Sequence, residues 1–252
     1  MYNRSGKAEE KRIRCEMRGR TEMKTYQKEE LLKYVKNDWI LEMLHKEESI
    51  EEKEIRTNLW MKTMENKRMI YADVYGDILR NAQAKRVLDV GGGYCALTKV
   101  LARNVDYILL DFLAHGGKEY VRSLGLNLVE RDWWEVELEG IYDIVIANDI
   151  FPDADQRLEL FIEKMLPICK ELRIVLTYYN TPKFYQTKRV DDSEIMTFLS
   201  WDGEITALKL RKYLDRIMDT SQKQLEEMKD DFSSIYWNGR QVSYIKMRGD
   251  IT

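Results

Sequence analysis

The sequence predicts an α/β protein in which a helical N-terminal part precedes a mostly parallel sheet. Two patterns carry this prediction. From about residue 85 onward, short apolar runs alternate with helical stretches, which is typical of βαβ units. Before them, from Leu31 to about Leu79, apolar residues recur at three- and four-residue steps, as on the buried faces of helices. A length of 252 residues accommodates one such domain with an accessory piece.

The individual elements follow from these runs. The predicted strands are Val87–Val90, Tyr107–Leu110, Leu126–Val129, Tyr142–Ala147 and Leu172–Tyr178. The predicted helices between them are Leu97–Arg103, Lys118–Leu124 and Asp155–Leu166. The pattern of apolar residues in 181–230 predicts mostly helix. At the end of the chain, Ser234–Trp237 and Gln241–Met247 flank an Asn-Gly turn signal, which predicts an antiparallel hairpin.

Composition and charge exclude several classes of protein. A hydrophobic share of 44% and a charged share of 34% are those of a globular chain rather than a disordered one. The net charge of −3 argues against a protein that coats nucleic acid or anionic membrane. Residues 1–36 nevertheless hold eleven Lys/Arg and six Asp/Glu, a local charge of +5. That segment is either a solvated arm or a clamp for an anionic substrate.

The few cysteines and histidines limit the metal sites and disulfides that the chain can form. Cys15, Cys95 and Cys169 are far apart, and His45 and His115 are the two histidines, so neither a zinc site nor a disulfide framework is expected. The N-terminus has no apolar core of a signal peptide, and no apolar run approaches the ~20 residues that span a bilayer. We expect a cytoplasmic protein without a membrane partner.

A glycine-rich turn is the strongest functional signal. The predicted strand Val87–Val90 contains Asp89 and runs into Gly91, Gly92 and Gly93, and a helix follows. Glycines let the backbone adopt positive φ and approach a ligand closely, and the helix N-terminus offers free N–H groups. With Ala96, the turn also fits the G-x-G-x-x-G/A pattern of dinucleotide sites. A tight turn without any ligand is the third interpretation.

The run Asp89-Val90-Gly91-Gly92-Gly93 resembles the first motif of the class I S-adenosylmethionine-dependent methyltransferases. The resemblance covers about residues 85–180 by motif, and Cys95 stands where the family usually has a third glycine. It implies a Rossmann-like, mostly parallel seven-stranded sheet with a C-terminal antiparallel hairpin. Residues 80–252 would form this domain, with a helical insertion at about 183–230, and residues 1–79 would form an N-terminal helical cap.

The resemblance also implies a binding site for S-adenosylmethionine. Gly91, Gly92 and Gly93 would accommodate its methionine part, with Asp89 supporting the turn and the amino group. Asp111 closes the next strand, 111 − 89 = 22 residues later, with Phe112 beside it. A carboxylate there can accept from both ribose hydroxyls. After the third strand, the resemblance places Asp132 on the adenine amino group and Trp133 against the ring.

Residues after the fourth and fifth strands are the candidates for catalysis. Ligands of open α/β sheets lie beyond the carboxyl ends of the strands. Asn148 and Asp149 therefore lie where a methyl acceptor would meet the cofactor, and Asp149 could orient or deprotonate it. The Tyr178 hydroxyl could orient the acceptor as well. The spacing of Asp149, Asp153 and Asp155 fits no metal site that ligand rules support, so no metal is expected.

These observations favour methyl transfer to an oxygen or nitrogen of a small molecule, with S-adenosylhomocysteine as the product. The near-neutral charge and the cap aromatics support a small acceptor; these aromatics are Trp39, Trp60, Tyr71 and Tyr75. An RNA or DNA methyltransferase that uses the basic arm and a non-catalytic cofactor-binding module remain alternatives. A nicotinamide-dependent oxidoreductase would leave Asp89 and the Asp132-Trp133 pair unused. A homodimer stays open.

Overall fold

The computed structural model describes residues 23–81, 83–188, 195–230 and 233–251. Most of the basic segment discussed above, residues 1–22 with Cys15, lies outside the described residues. Nine strands are described: β1 Met23–Thr25, β2 Arg86–Val90, β3 Asp106–Leu110, β4 Asn127–Val129, β5 Tyr142–Phe151, β6 Cys169–Tyr178, β7 Lys183–Lys188, β8 Ile195–Ser200 and β9 Gln241–Arg248.

The described helices surround these strands. They are α1 Lys28–Tyr34, α2 Trp39–Glu47, α3 Arg56–Thr63, α4 Glu65–Asn81, α5 Ala96–Asn104, α6 Lys118–Ser123, α7 Leu158–Met165, α8 Gly203–Arg211 and α9 Gln222–Glu226. Short 3-10 turns occur at Val35–Asn37, Glu51–Glu54, Leu166–Ile168 and Glu227–Lys229. None of the described helices combines the length and the apolar character that crossing a bilayer requires.

The main sheet has seven strands in the order β4-β3-β2-β5-β6-β9-β1. The five strands from β4 to β6 are parallel neighbours, and β9 runs antiparallel to both β6 and β1. The first five positions follow the 3-2-1-4-5 order of doubly wound sheets, so the chain reverses its direction of winding between β2 and β5. The predicted mostly parallel sheet and its five parallel strands are confirmed.

The antiparallel end of the sheet is paired differently from the prediction. The predicted partner of β9 was Ser234–Trp237, but those residues form no strand. Instead, β9 pairs along its whole length with β6, from Gln241 opposite Tyr178 to Arg248 opposite Glu171. This ladder is longer than one that the four residues Ser234–Trp237 could form with β9. It also provides hydrogen-bond partners for the backbone groups along the outer edge of β6.

The predicted helical cap also contributes a strand. β1 pairs with β9, Met23 lying opposite Ile245 and Thr25 opposite Ser243, so residues 23–25 belong to the sheet and the helices begin only at Lys28. β1 pairs with backbone N–H and C=O groups along an edge of β9 that would otherwise lack partners in the sheet. The local sequence of residues 23–25 does not reveal this pairing.

The predicted helical insertion at 183–230 begins with strands instead. β7 and β8 form a separate antiparallel pair, and helices α8 and α9 follow it. The rings of Tyr185 and Phe198 lie opposite each other and stack with their centroids 5.3 Å apart. Cross-strand aromatic pairs of this kind stabilise a hairpin that helix propensity alone would not predict.

Both faces of the sheet are buried. On one face Val87, Ile146 and Val175 join the residues of α1–α5 in one hydrophobic core. On the other face Leu88 and Val145 join α7 and α8 in a second core. Burial on both faces explains why the parallel strands read as continuous apolar runs. The N-terminal helices therefore share a core with the sheet.

A buried arginine fixes the N-terminal helices onto the sheet. Arg173 of β6 is 2% exposed, and its guanidinium donates to both carboxylate oxygens of Asp77 in α4, at 2.7 and 2.6 Å. It also donates to the Val74 carbonyl oxygen and pairs with Glu171. This two-point contact between a planar fork and a carboxylate sets the position of α4 above the sheet.

Candidate functional site

A cavity of about 550 Å³ opens at the carboxyl ends of β2, β3 and β5. Its floor includes the glycine turn and the residues that follow β3 and β5, and its roof comes from α3 and α4. This is the edge where the winding of the sheet reverses, and ligands of doubly wound folds bind there. The cavity brings together nearly all of the predicted site residues: Gly91, Gly92, Gly93, Asp111, Phe112, Asp132, Trp133, Asn148 and Asp149.

The glycine turn has no room for side chains. Gly91 and Gly93 have φ of +68° and +66°, the left-handed region that favours glycine. A Cβ on Gly91 would lie 2.4 Å from Ile150 Cγ2, and one on Gly92 would lie 2.3 Å from Asp89 Oδ2. The turn is therefore wedged between Ile150, near the end of β5, and a buried carboxylate, and it lines the cavity.

Asp89 lies beneath this turn and does not line the cavity. Its carboxylate is 2% exposed and accepts from the Tyr75 hydroxyl at 3.2 Å and from the Tyr107 hydroxyl. This position beneath the glycines is consistent with the predicted support of the turn. Burial raises the pKa of Asp89 to about 7, an effect that the two tyrosine hydrogen bonds only partly offset.

The raised pKa of Asp89 predicts a pH-dependent cost in stability. The contribution of Asp89 to the free energy of unfolding is fully present below the pKa near 4 that this side chain has in the unfolded chain. It is lost as the pH rises through about 7, because the folded chain then buries a charged carboxylate. Relative to Asp89→Asn, the free energy of unfolding of the wild type should fall by about 3 kcal/mol between pH 5 and pH 8. Urea denaturation of both proteins at each pH measures this. A difference that stays constant with pH would contradict it.

Asp111 connects the glycine turn to the end of β3. Its Oδ2 accepts from the Gly93 backbone N–H at 2.9 Å, and its Oδ1 accepts from the Leu113 N–H at 2.5 Å. Burial raises its pKa, against the effect of these two hydrogen bonds. Each oxygen keeps a lone pair for a further donor in the cavity. Phe112 follows with 53% of its surface exposed.

Asp132 and Trp133 lie at another end of the cavity. Asp132 Oδ1 accepts from the Trp134 backbone N–H at 2.8 Å, and its Oδ2 accepts from Arg157 at the same distance. The Trp133 ring is 4% exposed and its indole N–H donates to Asp155 at 2.7 Å. Burial would raise the pKa of Asp132, but the Arg157 hydrogen bond and charge lower it.

Asn148 and Asp149 occupy the irregular end of β5, where the register with β6 shifts. Burial and the Asp89 carboxylate raise the pKa of Tyr75, and the interaction with Asn148 acts against this. Asp149 has a φ of +67° and its carboxylate is paired with Arg240 and, at 3.5 Å, with Lys67 Nζ. The shift and the left-handed residue turn the Asp149 side chain into the cavity, between two cations.

The predicted role of Tyr178 is wrong. Tyr178 is 1% exposed and lies away from the cavity, with its hydroxyl 3.4 Å from Ser243 Oγ. Residues alternate between the two faces of β6, and this register buries the ring in the second core. An acceptor in the cavity has no access to this hydroxyl.

The sequence is distant from known families. No protein-family model matches it, and no curated protein sequence is significantly similar to it. Several solved structures are similar to it. A Thermoplasma acidophilum protein is 14% identical, with a TM-score of 0.46 over 84% of this chain and 99% of that one.

Two similar structures are those of methyltransferases. The O-methyltransferase of a Brevibacillus brevis trans-AT PKS multienzyme, in complex with S-adenosyl-L-homocysteine, is 10% identical, with a TM-score of 0.47 over 80% of each chain. The Burkholderia thailandensis 1,6-didemethyltoxoflavin-N1-methyltransferase, with bound 1,6-didemethyltoxoflavin and S-adenosylhomocysteine, is 12% identical. Its TM-score is 0.44 over 88% of this chain and 89% of that one.

A parallel, doubly wound sheet closed by an antiparallel strand is the architecture that the glycine motif implied. The chain has a Rossmann-like, doubly wound α/β fold. The edge strand of this sheet, beside β9, comes from the N-terminal residues 23–25.

Several residues that line the cavity belong to no sequence motif. They are Thr57, Lys67, His115, Arg157 and Tyr236. Trp60 and Tyr71, which the aromatic cap suggested, do line the cavity, and the Trp60 ring meets His115 edge-on at 4.7 Å. Within the described residues, no group of three or more His, Cys, Asp or Glu side chains is arranged to hold a metal ion.

Proposed function

We propose that this protein transfers a methyl group from S-adenosylmethionine to an oxygen or nitrogen atom of a small molecule. One observation carries the proposal. A single cavity joins the glycine turn, the strand-end acids Asp111 and Asp132, and the polar pair Asn148 and Asp149. This combination matches the needs of a ligand with an amino acid at one end, a ribose, and an adenine at the other.

The residues present fit such a cofactor. A Cβ on Gly91 or Gly92 would overlap Ile150 or Asp89, so this close-packed turn requires glycine, and the turn lines the cavity where the methionine part would contact its backbone. Asp111 offers carboxylate lone pairs to ribose hydroxyls, and Asp132 offers them to an amino group. When bound, S-adenosylmethionine supplies an electrophilic methyl group on a positively charged sulfur.

The helix after the turn argues against a dinucleotide. Pyrophosphate sites use the free N–H groups at a helix N-terminus. Here the Ala96 N–H donates to Asn58 Oδ1 at 3.0 Å, and the Cys95 N–H donates to Thr98 Oγ1 at 3.1 Å. A pyrophosphate would have to displace Asn58, which is fully buried. The start of α5 is better suited to contact with an uncharged or zwitterionic group.

The acceptor end of the cavity supports a small, partly aromatic substrate. Trp60, Tyr71 and Tyr236 line it, while Asn148 and Asp149 add polar groups. An oxygen or nitrogen nucleophile can donate its hydrogen to the Asp149 carboxylate, which orients a lone pair for in-line attack. Correct positioning of the two reactants can contribute up to roughly 7–11 kcal/mol to the lowering of the barrier.

Ligand binding tests the proposal directly. Calorimetry of the whole chain should show one S-adenosylhomocysteine bound per chain, and NAD⁺ should not bind. Tritium-labelled S-adenosylmethionine, incubated with a panel of small phenols, carboxylates and amines, then identifies the acceptor. Binding of NAD⁺ without binding of S-adenosylhomocysteine would reverse the proposal in favour of an oxidoreductase.

Asp149 is expected to matter for transfer and little for cofactor binding. Asp149→Asn keeps the shape of the side chain but weakens its ability to take up a proton, so the rate with the acceptor found in the panel should fall by about 10²–10⁴-fold. The affinity for S-adenosylhomocysteine should change by less than about threefold.

Asp153→Asn is the matched control. Asp153 also lies near Arg240, at 3.7 Å, but it does not line the cavity. Its substitution should leave the transfer rate near that of the wild type. Equal rates for Asp149→Asn and the wild type would remove Asp149 from the mechanism, and equal losses in both variants would indicate a structural effect of the Arg240 cluster.

A further inference from the structure

Arg157 connects two loops at the Asp132 end of the cavity. It lies on the segment between β5 and α7, immediately before Leu158. Its Nη2 is 2.8 Å from Asp132 Oδ2 and 2.7 Å from Asp155 Oδ2. Its guanidinium carbon is 4.7 Å from the centroid of the Trp133 ring. One side chain therefore contacts both residues proposed to bind adenine.

The contacts of Arg157 belong to a closed network. The Trp133 indole N–H donates to Asp155 Oδ2 at 2.7 Å, so Asp155 joins Arg157 to the tryptophan. The Trp134 backbone N–H donates to Asp132 Oδ1 at 2.8 Å. Each Asp132 oxygen thus has one fixed donor, which sets the plane of the carboxylate. A carboxylate has about four acceptor positions, so capacity remains for a ligand.

We infer that Arg157 is a positioning residue that makes this site selective for a purine ring with an amino group rather than a carbonyl at the position facing Asp132. The inference rests on the proposed function. An ionised carboxylate can only accept hydrogen bonds. An amino group donates to it, whereas a carbonyl oxygen would face it acceptor to acceptor and lose a buried hydrogen bond.

Arg157 enforces this selectivity through geometry. Asp132 is a carboxylate that is ionised at neutral pH, so it cannot donate to a carbonyl. The guanidinium of Arg157, held by Asp155, donates to Asp132 Oδ2 and prevents the carboxylate from rotating away from the cavity. Without Arg157 the carboxylate can turn, which makes the site more tolerant of a carbonyl.

The test compares two ligands that differ at that one position, S-adenosylhomocysteine and S-inosylhomocysteine. Calorimetry of the wild-type chain should show at least about tenfold tighter binding of the adenosyl compound. In Arg157→Met this preference should shrink to about threefold or less. Arg157→Lys, which keeps the charge but loses the fork, should restore part of it.

The ratio of the two affinities distinguishes a positioning role of Arg157 from a general loss of structure. A loosened loop or a partly unfolded sample lowers the affinity for both ligands together and leaves the ratio unchanged. Arg131→Met is the matched control, since Arg131 precedes Asp132 and lines the same cavity; it should keep the wild-type ratio. Asp132→Asn, whose amide can both donate and accept, should abolish the preference.

Each outcome decides a different point. A wild-type chain that binds neither ligand would remove the proposed function. If the wild type shows the preference and Asp132→Asn abolishes it, but Arg157→Met retains it in full, the cofactor site stands and the inference about Arg157 is wrong. If Asp132→Asn still preferred the adenosyl compound, the inference would also be overturned, because a group other than Asp132 would then recognise the purine ring.

Discussion

Replacing Gly91 with alanine is expected to weaken S-adenosylhomocysteine binding at least about 100-fold and to destabilise the fold by about 2–4 kcal/mol. The residue has a φ of +68°, and an added Cβ would lie 2.4 Å from Ile150 Cγ2. Relief of this overlap must displace the Ile150 side chain, the glycine turn or the end of β5 that carries Asp149. Calorimetry and urea denaturation measure the two effects.

Gly125→Ala separates steric overlap from backbone strain. Gly125 has the same φ of +68°, but no atom lies within 4 Å of the position its Cβ would take. This control should lose only about 1–2 kcal/mol of stability and should retain ligand affinity. If Gly91→Ala bound S-adenosylhomocysteine as tightly as Gly125→Ala, the glycine turn would not be the cofactor cradle.

Arg173→Met is expected to lower the free energy of unfolding by about 1–3 kcal/mol. The methionine fills similar space, but it leaves the buried Val74 carbonyl oxygen without this donor and the partly exposed Asp77 carboxylate without its partner. The N-terminal helices would then lose their polar anchor on the sheet. Urea denaturation, followed by circular dichroism, gives the change in the free energy of unfolding.

Arg216→Met provides a surface reference for this experiment. Arg216 pairs with Asp250 at 2.5 Å, but both side chains are about two-fifths exposed, at 39% and 41%. Exposed pairs contribute at most about 1 kcal/mol. A loss in Arg173→Met no greater than that in Arg216→Met would mean that apolar packing alone holds the helices to the sheet.

Local sequence was sufficient to predict the parallel strands. The run Val87–Val90 could be recognised because both faces of β2 are buried, so nearly every residue must be apolar. The glycine turn could also be predicted, because a positive φ and the close approach of neighbouring atoms leave few alternatives to glycine. Asp111 could be placed at the cavity from its position at a strand end, whereas Asp132 was placed there by the family resemblance.

Pairing across long sequence distances was not predictable in this way. β1 and β9 are separated by more than 200 residues, and a three-residue strand has no periodicity of its own. The hairpin of β7 and β8 depends on cross-strand contacts such as Tyr185 with Phe198. The burial of Tyr178 depends on which face of β6 it occupies, and an isolated strand end does not reveal its register.

The sequence by itself determined the α/β class, the glycine turn and the order of polar groups at the strand ends. Local backbone demands and burial act within a few residues, so they leave a readable pattern. Only the tertiary structure decided which cations meet these acids. Arg240 reaches Asp149, and Arg157 reaches both Asp132 and Asp155. Such pairings are set by how the loops pack together, and no spacing along the chain encodes them.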